Sequence, residues 1–295
     1  MQDTQSPDAQ RIAIRQAELG AGFQVGRALP TRERRMVGAW CFLDHLGPIH
    51  SGASGAGMHV GAHPHTCLQT FTWMIEGEIL HRDSLGTEQV VRPGQVNLMT
   101  AGHGISHTED SLPGAAGLHA AQLWIALPPE HADIAPAFDH YPDLPVWQQE
   151  GATLTLLAGE LAGHRAPTRL YSPLLGVDVH SQTGGRLALP LNADFEYGLL
   201  PLEGEVSFEG QSFGPTDFFY LAPGRQSLAL HLSAGSRLLL LGGQPFGQPI
   251  TMWWNFVGHS REAVAAAQAD WDAGSERFGT VPKAGERMAA PRIPW

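Results

Sequence analysis

The sequence predicts an all-β protein made of two barrel- or sandwich-like units, with one short helix near the C-terminus. Three observations carry this. Short apolar segments recur along most of the chain, separated by Gly- and Pro-bearing turns. Gly (35 residues) and Pro (22 residues) are plentiful, which suits tight turns between strands better than a helical bundle. Two distant segments also share a turn grammar: Ile75-Glu76-Gly77-Glu78-Ile79 is echoed by Leu202-Glu203-Gly204-Glu205-Val206, and Arg92-Pro93-Gly94 by Ala222-Pro223-Gly224.

Taken in order, residues 11–14 and 37–43 are apolar stretches, the second reading as a buried strand. Between them, residues 31–35 (TRERR) form a basic patch that reads as a solvated turn. Residues 47–62 are a Gly/Ser-rich loop. From Cys67 the pattern is β throughout: strands at 68–75, 79–83, 90–92, 96–100, 105–109 and 118–127, with Pro93-Gly94 fitting a type II turn. Residues 129–150, rich in Pro, Asp and aromatics without periodicity, read as a linker. This gives an N-terminal domain of residues 1–145 and a C-terminal domain of residues 146–295. Strands then resume at 152–157, 174–180, 186–189, 196–200, 206–208, 217–221, 227–232 and 237–242. Residues 260–271 form the helix, with Ser260 as N-cap, Glu262 in the first turn and Gly274 as the stop. The Pro-rich tail to Trp295 is expected to pack back as an extended arm.

Composition bounds the function. With 43% apolar residues in 295, the chain can bury a real core. A net charge of -11 argues against a direct, sequence-independent grip on nucleic acid. No basic run suggests an anionic membrane surface, and no apolar run of about 18 residues suggests a spanning helix. Cys41 and Cys67 alone make no disulfide framework, and the N-terminus lacks the apolar run of a signal peptide. The expectation is a cytoplasmic protein.

The chemistry gathers between His59 and Asp110. His63 with His65, and His107 with Glu109, are each two residues apart, and on a strand such partners point to one face. Two such strands side by side would aim three imidazoles and one carboxylate at one point, a donor set suited to a divalent transition metal. Fifteen histidines make an HxH pair expected roughly once by chance, so the second pair carries the argument.

His63-Pro64-His65, the Glu-Gly-Glu turn followed by His81-Arg82-Asp83-Ser84, Arg92-Pro93-Gly94, and the segment MTAGHGISHTE ending at Glu109 closely resemble the pirin family of the cupin superfamily. Residues 243–260, with Pro249-Ile250 and Asn255-Phe256-Val257, resemble the pirin C-terminal domain. The resemblance implies two cupin-type β-barrels with one metal in the N-terminal one, held by His63, His65, His107 and Glu109. The metal it implies is iron first, with Mn, Ni, Co, Cu or Zn as alternatives; no residue is assigned to an organic cofactor. Three positions depart from the family pattern: Gln69 where cupins usually have Glu, Cys67 for a common Gly, and His103 for a usual Arg.

Some bacterial pirins resemble quercetin 2,3-dioxygenases, which implies a small flavonol-type aromatic and O₂ as substrates. Glu109 is then the catalytic base, with Phe71, Trp73 and Met99 as candidate pocket walls. Eukaryotic pirins resemble transcription cofactors, which implies instead a non-enzymatic metal- or redox-sensing protein that binds a protein partner.

Overall fold

A computed structural model describes residues 8–19, 23–50, 58–112 and 117–295. Strands dominate, and Arg261–Asp272 is the one α-helix among the described residues. Ser260 caps it, its side chain accepting from the Ala263 N–H, and Gly274 follows with φ +69°. Residues 51–57 of the expected Gly/Ser loop lie outside the described residues. Its flanks belong to strands Trp40–His50 and His59–His65.

The chain forms two compact units that interleave in sequence instead of meeting at one cut near residue 145. One contains residues up to Gln16, Gly26–His45 and Asp143–Phe246; the other contains Ala17–Val25, Leu46–Pro142 and Gly247–Trp295. Backbone pairing is the cause. Strand Ala9–Ala13 is antiparallel to Asp217–Leu221, in register from Ala9 opposite Leu221 to Ala13 opposite Asp217. The chain beyond Gly247 bonds instead to residues around the HxH pair: Val257 N–H donates to the Thr66 carbonyl (3.4 Å) and Met288 N–H to the Ala62 carbonyl (2.8 Å).

In the unit holding the histidines, one sheet orders strands Ala137–Tyr141, Val96–Thr100, Leu68–Glu76 and Gly117–Ala126. A second sheet orders His59–His65, Ile105–Ser111, Ile79–Asp83 and Glu88–Val91. A core cluster that includes Met74 and Ala120 from the first sheet and Val60, Ile79 and Val91 from the second lies between them. The turn chemistry is as the sequence predicts. Gly77 has φ +87°, and Gly94 has φ +82° with the Gln95 N–H donating to the Arg92 carbonyl.

The other unit repeats this plan. Its larger sheet runs Ala9–Ala13, Asp217–Leu221, Glu196–Glu203, Ser236–Gly243, Leu174–Ser181, Ala152–Ala158 and Val146–Gln149. Its smaller sheet runs Gly185–Pro190, Ser227–Leu232, Val206–Phe208 and Gln211–Phe213. Thus the strand before each Glu-Gly-Glu turn is the middle one of three, between Val96–Thr100 and Gly117–Ala126 in one unit and between Asp217–Leu221 and Ser236–Gly243 in the other. The Pro-Gly echo is not equivalent, because Pro93-Gly94 precedes Val96–Thr100 while Pro223-Gly224 follows Asp217–Leu221. The expected linker is the main departure: strand Ala137–Tyr141 pairs with Val96–Thr100, and Val146–Gln149 with Ala152–Ala158. Long-range partners stabilise these strands, and their local pattern carries no such signal.

Gly102 shows why the turn leading to His107 needs glycine. It sits at φ +52°, its carbonyl accepts from the Cys67 N–H, and a Cβ there would collide with the Ile134 carbonyl oxygen. Gly102→Ala is expected to cost more than about 1 kcal/mol, read as a lowered melting temperature. An unchanged melt would contradict this account of the turn.

Candidate metal centre

The His59–His65 and Ile105–Ser111 strands lie side by side and antiparallel, with His63 opposite His107 and His65 opposite Ile105. A register shift between His107 and Glu109 carries Glu109 to Val60. On its other side the same strand pairs with Ile79–Asp83, which sets His107 opposite Asp83 and Glu109 opposite His81. His63, His65, His81, His107 and Glu109 are all buried.

Among the described residues, donor atoms gather within 4.8 Å of one another in two overlapping groups: His63, His65 and His107, and His81, His107 and Glu109. The three histidines read from the sequence therefore meet. Glu109 joins the cluster through His107, in company with His81. Sequence reasoning met His81 only as part of a motif; no spacing rule picks it out, because its nearness to His107 depends on strand register.

Hydrogen bonds assign the ring protons. His63 Nδ1 is 2.8 Å from the Gly61 carbonyl and His65 Nδ1 is 3.0 Å from the Asn255 carbonyl. A carbonyl only accepts, so each Nδ1 carries the proton and each Nε2 keeps its lone pair. The Nε2 atoms of His65 and His107 face each other at 3.1 Å. His107 Nδ1 lies 3.3 Å from His81 Nδ1, and His81 Nε2 lies 3.1 Å from Asp83 Oδ2.

Burial penalises the imidazolium form and brings His63 down to about 4, and holds His65 and His107 well below the ordinary value. Burial also raises Glu109 to about 7, against the lowering contact of Thr72. Burial acts to raise Asp83 too, but the bonds to His81 and Thr87 outweigh it and keep that carboxyl below its usual range.

Strand pairing identifies the walls. The Thr72 hydroxyl donates to Gln122 Oε1 (2.8 Å) and lies 3.5 Å from Glu109 Oε1, so the Thr70–Thr72 face of strand Leu68–Glu76 looks toward the cluster. Directly paired residues share a face. Trp124 and Met99 pair with Thr70, and Phe138 pairs with Met99. Accordingly the Trp124 ring lies 5.0 Å from His65, and Phe138 stacks on His81 at 4.5 Å and 25°. Phe71 and Trp73 occupy the opposite face, so of the three expected wall residues only Met99 is on the cluster side. Trp124 and Phe138 are the aromatic walls that sequence reasoning missed.

The departures from the family pattern also find places. Cys67 is buried at φ +55°, a conformation that favours the common Gly, and burial pushes its thiol up to about 12. It is a packed residue, not a thiolate. Gln69 is fully buried and donates to Thr100 Oγ1 at 3.0 Å. His103 is exposed and lies outside both donor groups.

The donor set fits a divalent cation. With Nδ1 protonated on His63 and His65, their Nε2 lone pairs are left free in a dry interior, and a cation shared with His107, whose Nε2 lies 3.1 Å from that of His65, would take them up. A double-sheet unit holding buried imidazoles and a carboxylate in this way is a cupin-type metal-binding domain. The family model for Pirin matches residues 22–125, and that for the Pirin C-terminal cupin domain matches residues 176–279. The chain belongs to the pirin family. It is 60% identical, over 97% of its length and 91% of the relative's, to a Pseudomonas aeruginosa protein named "Putative quercetin 2,3-dioxygenase PA1205". A "Pirin-like protein" of Caulobacter vibrioides is 38% identical over 88% of this chain and 91% of that one. A crystal structure titled quercetin 2,3-dioxygenase from Acinetobacter baumannii superposes with a TM-score of 0.95 at 46% identity, covering 97% of this chain and 96% of that one. No helix among the described residues is long and apolar enough to cross a membrane.

Two consequences for stability follow in the metal-free protein. The buried histidines have folded pKa values below the unfolded one, so the unfolded chain binds protons that the native state refuses. Their contribution is complete above about pH 6.5 and is lost as pH falls below it, toward about 4 for His63, at up to about 1.4 kcal/mol per pH unit for each group. The melting temperature of chelator-treated protein should fall steeply from about pH 6.5 to about 5; a flat profile would contradict burial as the cause. Glu109 has the opposite sign. Its folded value lies above its unfolded one, so the stability cost of the buried carboxylate grows as pH rises from 4.5 and is complete above about 7. Glu109→Gln should therefore stabilise the metal-free protein at about pH 8 by roughly 1–3 kcal/mol, measured by denaturant unfolding, while weakening metal binding.

Proposed function

We propose that this protein is a metal-dependent dioxygenase acting on flavonol-type aromatics such as quercetin, with O₂ as co-substrate. In this reading His63, His65, His107 and Glu109 hold the metal. The observation that carries the reading is the set of buried, neutral imidazoles whose Nδ1 atoms are all engaged, beside a wall formed by Met99, Trp124 and Phe138. The relatives named as quercetin 2,3-dioxygenases support the substrate class.

A divalent transition metal, iron first, would supply Lewis acidity that lowers the pKa of a substrate hydroxyl. The protein's own groups do the rest. Burial makes the Glu109 carboxylate more basic than an exposed one when it is off the metal, which suits it to swing away and take the hydroxyl proton. Thr72, itself bonded to Gln122, limits where that carboxylate can swing. Trp124 and Phe138 offer flat apolar faces to a polycyclic aromatic and keep water away from it.

The test is quercetin consumption and oxygen uptake by protein reconstituted separately with Fe, Mn, Ni, Co, Cu and Zn, in air and under anaerobic conditions. Oxygen-dependent loss of quercetin is expected with at least one metal; its absence with all six overturns the reading. Glu109→Gln should lower kcat by on the order of 10²–10⁴-fold. Trp124→Ala should act mainly on KM.

A further inference from the structure

We propose that His81, oriented by Asp83, is a positioning residue that fixes the tautomer and aim of His107 and thereby sets the affinity for the metal. The inference rests on the metal-site reading above but not on the identity of the substrate.

Of the three histidines that meet at the cluster, two have their ring protons assigned by backbone carbonyls, Gly61 for His63 and Asn255 for His65. His107 is different. Its Nδ1 faces another imidazole nitrogen, His81 Nδ1 at 3.3 Å, which can either donate or accept. That contact alone leaves the His107 proton undecided. Were it on Nε2, the lone pair needed beside His65 Nε2 would be lost.

The decision comes from Asp83. Its Oδ1 accepts from the N–H groups of Leu85 (2.9 Å) and Thr87 (3.0 Å), which pins the carboxylate and leaves Oδ2 facing His81 Nε2 at 3.1 Å. A carboxylate accepts, so His81 carries its proton on Nε2. In the neutral ring, His81 Nδ1 then accepts and His107 donates from Nδ1. The His107 Nε2 lone pair is left pointing at the other histidines. For a neutral His81, each assignment forces the next.

The geometry around the chain of bonds is rigid. Strand register holds Asp83 opposite His107 and His81 opposite Glu109, and Phe138 stacks on the His81 ring. Partners that orient a metal-binding histidine in this way typically change affinity by about 10–100-fold when removed.

The experiment measures Co(II) affinity and stoichiometry of the full-length protein by competition with a chelator, with metal-free melting curves as the control for folding. Asp83→Asn keeps an oxygen for the Leu85 and Thr87 N–H groups but presents an amide N–H to His81 Nε2. That reverses the chain of bonds and moves the His107 proton to Nε2, and affinity is expected to fall about 10–100-fold. His81→Leu removes the acceptor and should lose as much. His81→Asn restores an acceptor near the former Nδ1 position and should bind within about threefold of the wild type, a rescue that a merely space-filling role would not produce. In the Co(II) protein, proton NMR should show an exchange-protected, hyperfine-shifted ring N–H for His107 that is lost in His81→Leu.

Wild-type affinity in both Asp83→Asn and His81→Leu overturns the inference while leaving the metal site standing. Two equivalents of Co(II) in the wild type, falling to one in His81→Leu, would also overturn it, by making His81 a ligand of a second ion. A wild type that takes up no divalent metal would remove the metal-site reading itself, and this inference with it.

Discussion

The site depends on one constraint: a neutral imidazole in a dry interior must satisfy both ring nitrogens, and only one can be turned toward a metal. The protein meets this through the Nδ1 partner of each histidine. The partners come from three parts of the chain: Gly61 from the ligand's own strand, Asn255 from the C-terminal segment, and His81 from the neighbouring strand. Burial removes the competing cationic form, so the histidines are neutral without any help from a bound ion. The cost is carried by the fold, because a polar cluster left in an apolar interior destabilises it unless every atom is paired.

Comparison of the two units shows how much of this is peculiar to one of them. In the unit without the cluster, the strand paired as Ile105–Ser111 is paired here is Ser227–Leu232, flanked by Gly185–Pro190 and Val206–Phe208. Its inward residues are Leu228, Leu230 and Leu232, facing Leu187, Leu189, Val206 and Phe208, all within one hydrophobic core. The same arrangement of strands is thus filled once with imidazoles and once with leucine. Leucine needs no hydrogen-bond partner, so that unit has no use for an anchoring carbonyl or a His–Asp pair.

Much of this was legible in the residues. Strands Ile79–Asp83, Val96–Thr100, Val206–Phe208, Asp217–Leu221 and Ser227–Leu232 begin and end where alternation and turn residues predict. The i, i+2 pairs were visible because strand geometry is local. What local pattern could not reveal was pairing. Strand Trp40–His50 runs on through Gly47 and Pro48, which read as the start of the Gly/Ser-rich loop, and strand Ala137–Tyr141 lacks apolar alternation. The part of His81, and the turn of the buried Phe71 and Trp73 away from the cluster, follow only from knowing which strand lies beside which.

The C-terminal segment gives the strongest case of the same limit. By sequence it follows the second unit, yet its backbone is bonded around the ligand strands of the first. The Thr66 hydroxyl donates to the Val257 carbonyl (2.9 Å), the Ser106 hydroxyl to the Phe278 carbonyl (2.8 Å), and Met288 N–H to the Ala62 carbonyl (2.8 Å). Each bond falls on a residue adjacent to a ligand: Thr66 follows His65, Ser106 precedes His107 and Ala62 precedes His63. Phe256, Val264, Trp271 and Phe278 form a small core that gives the segment its own stability. A segment built this way holds both ligand strands from outside while its Asn255 carbonyl reaches in to orient His65. The end of the chain is therefore part of the metal centre's support, and the ligands of a local motif are aimed by residues about two hundred positions away.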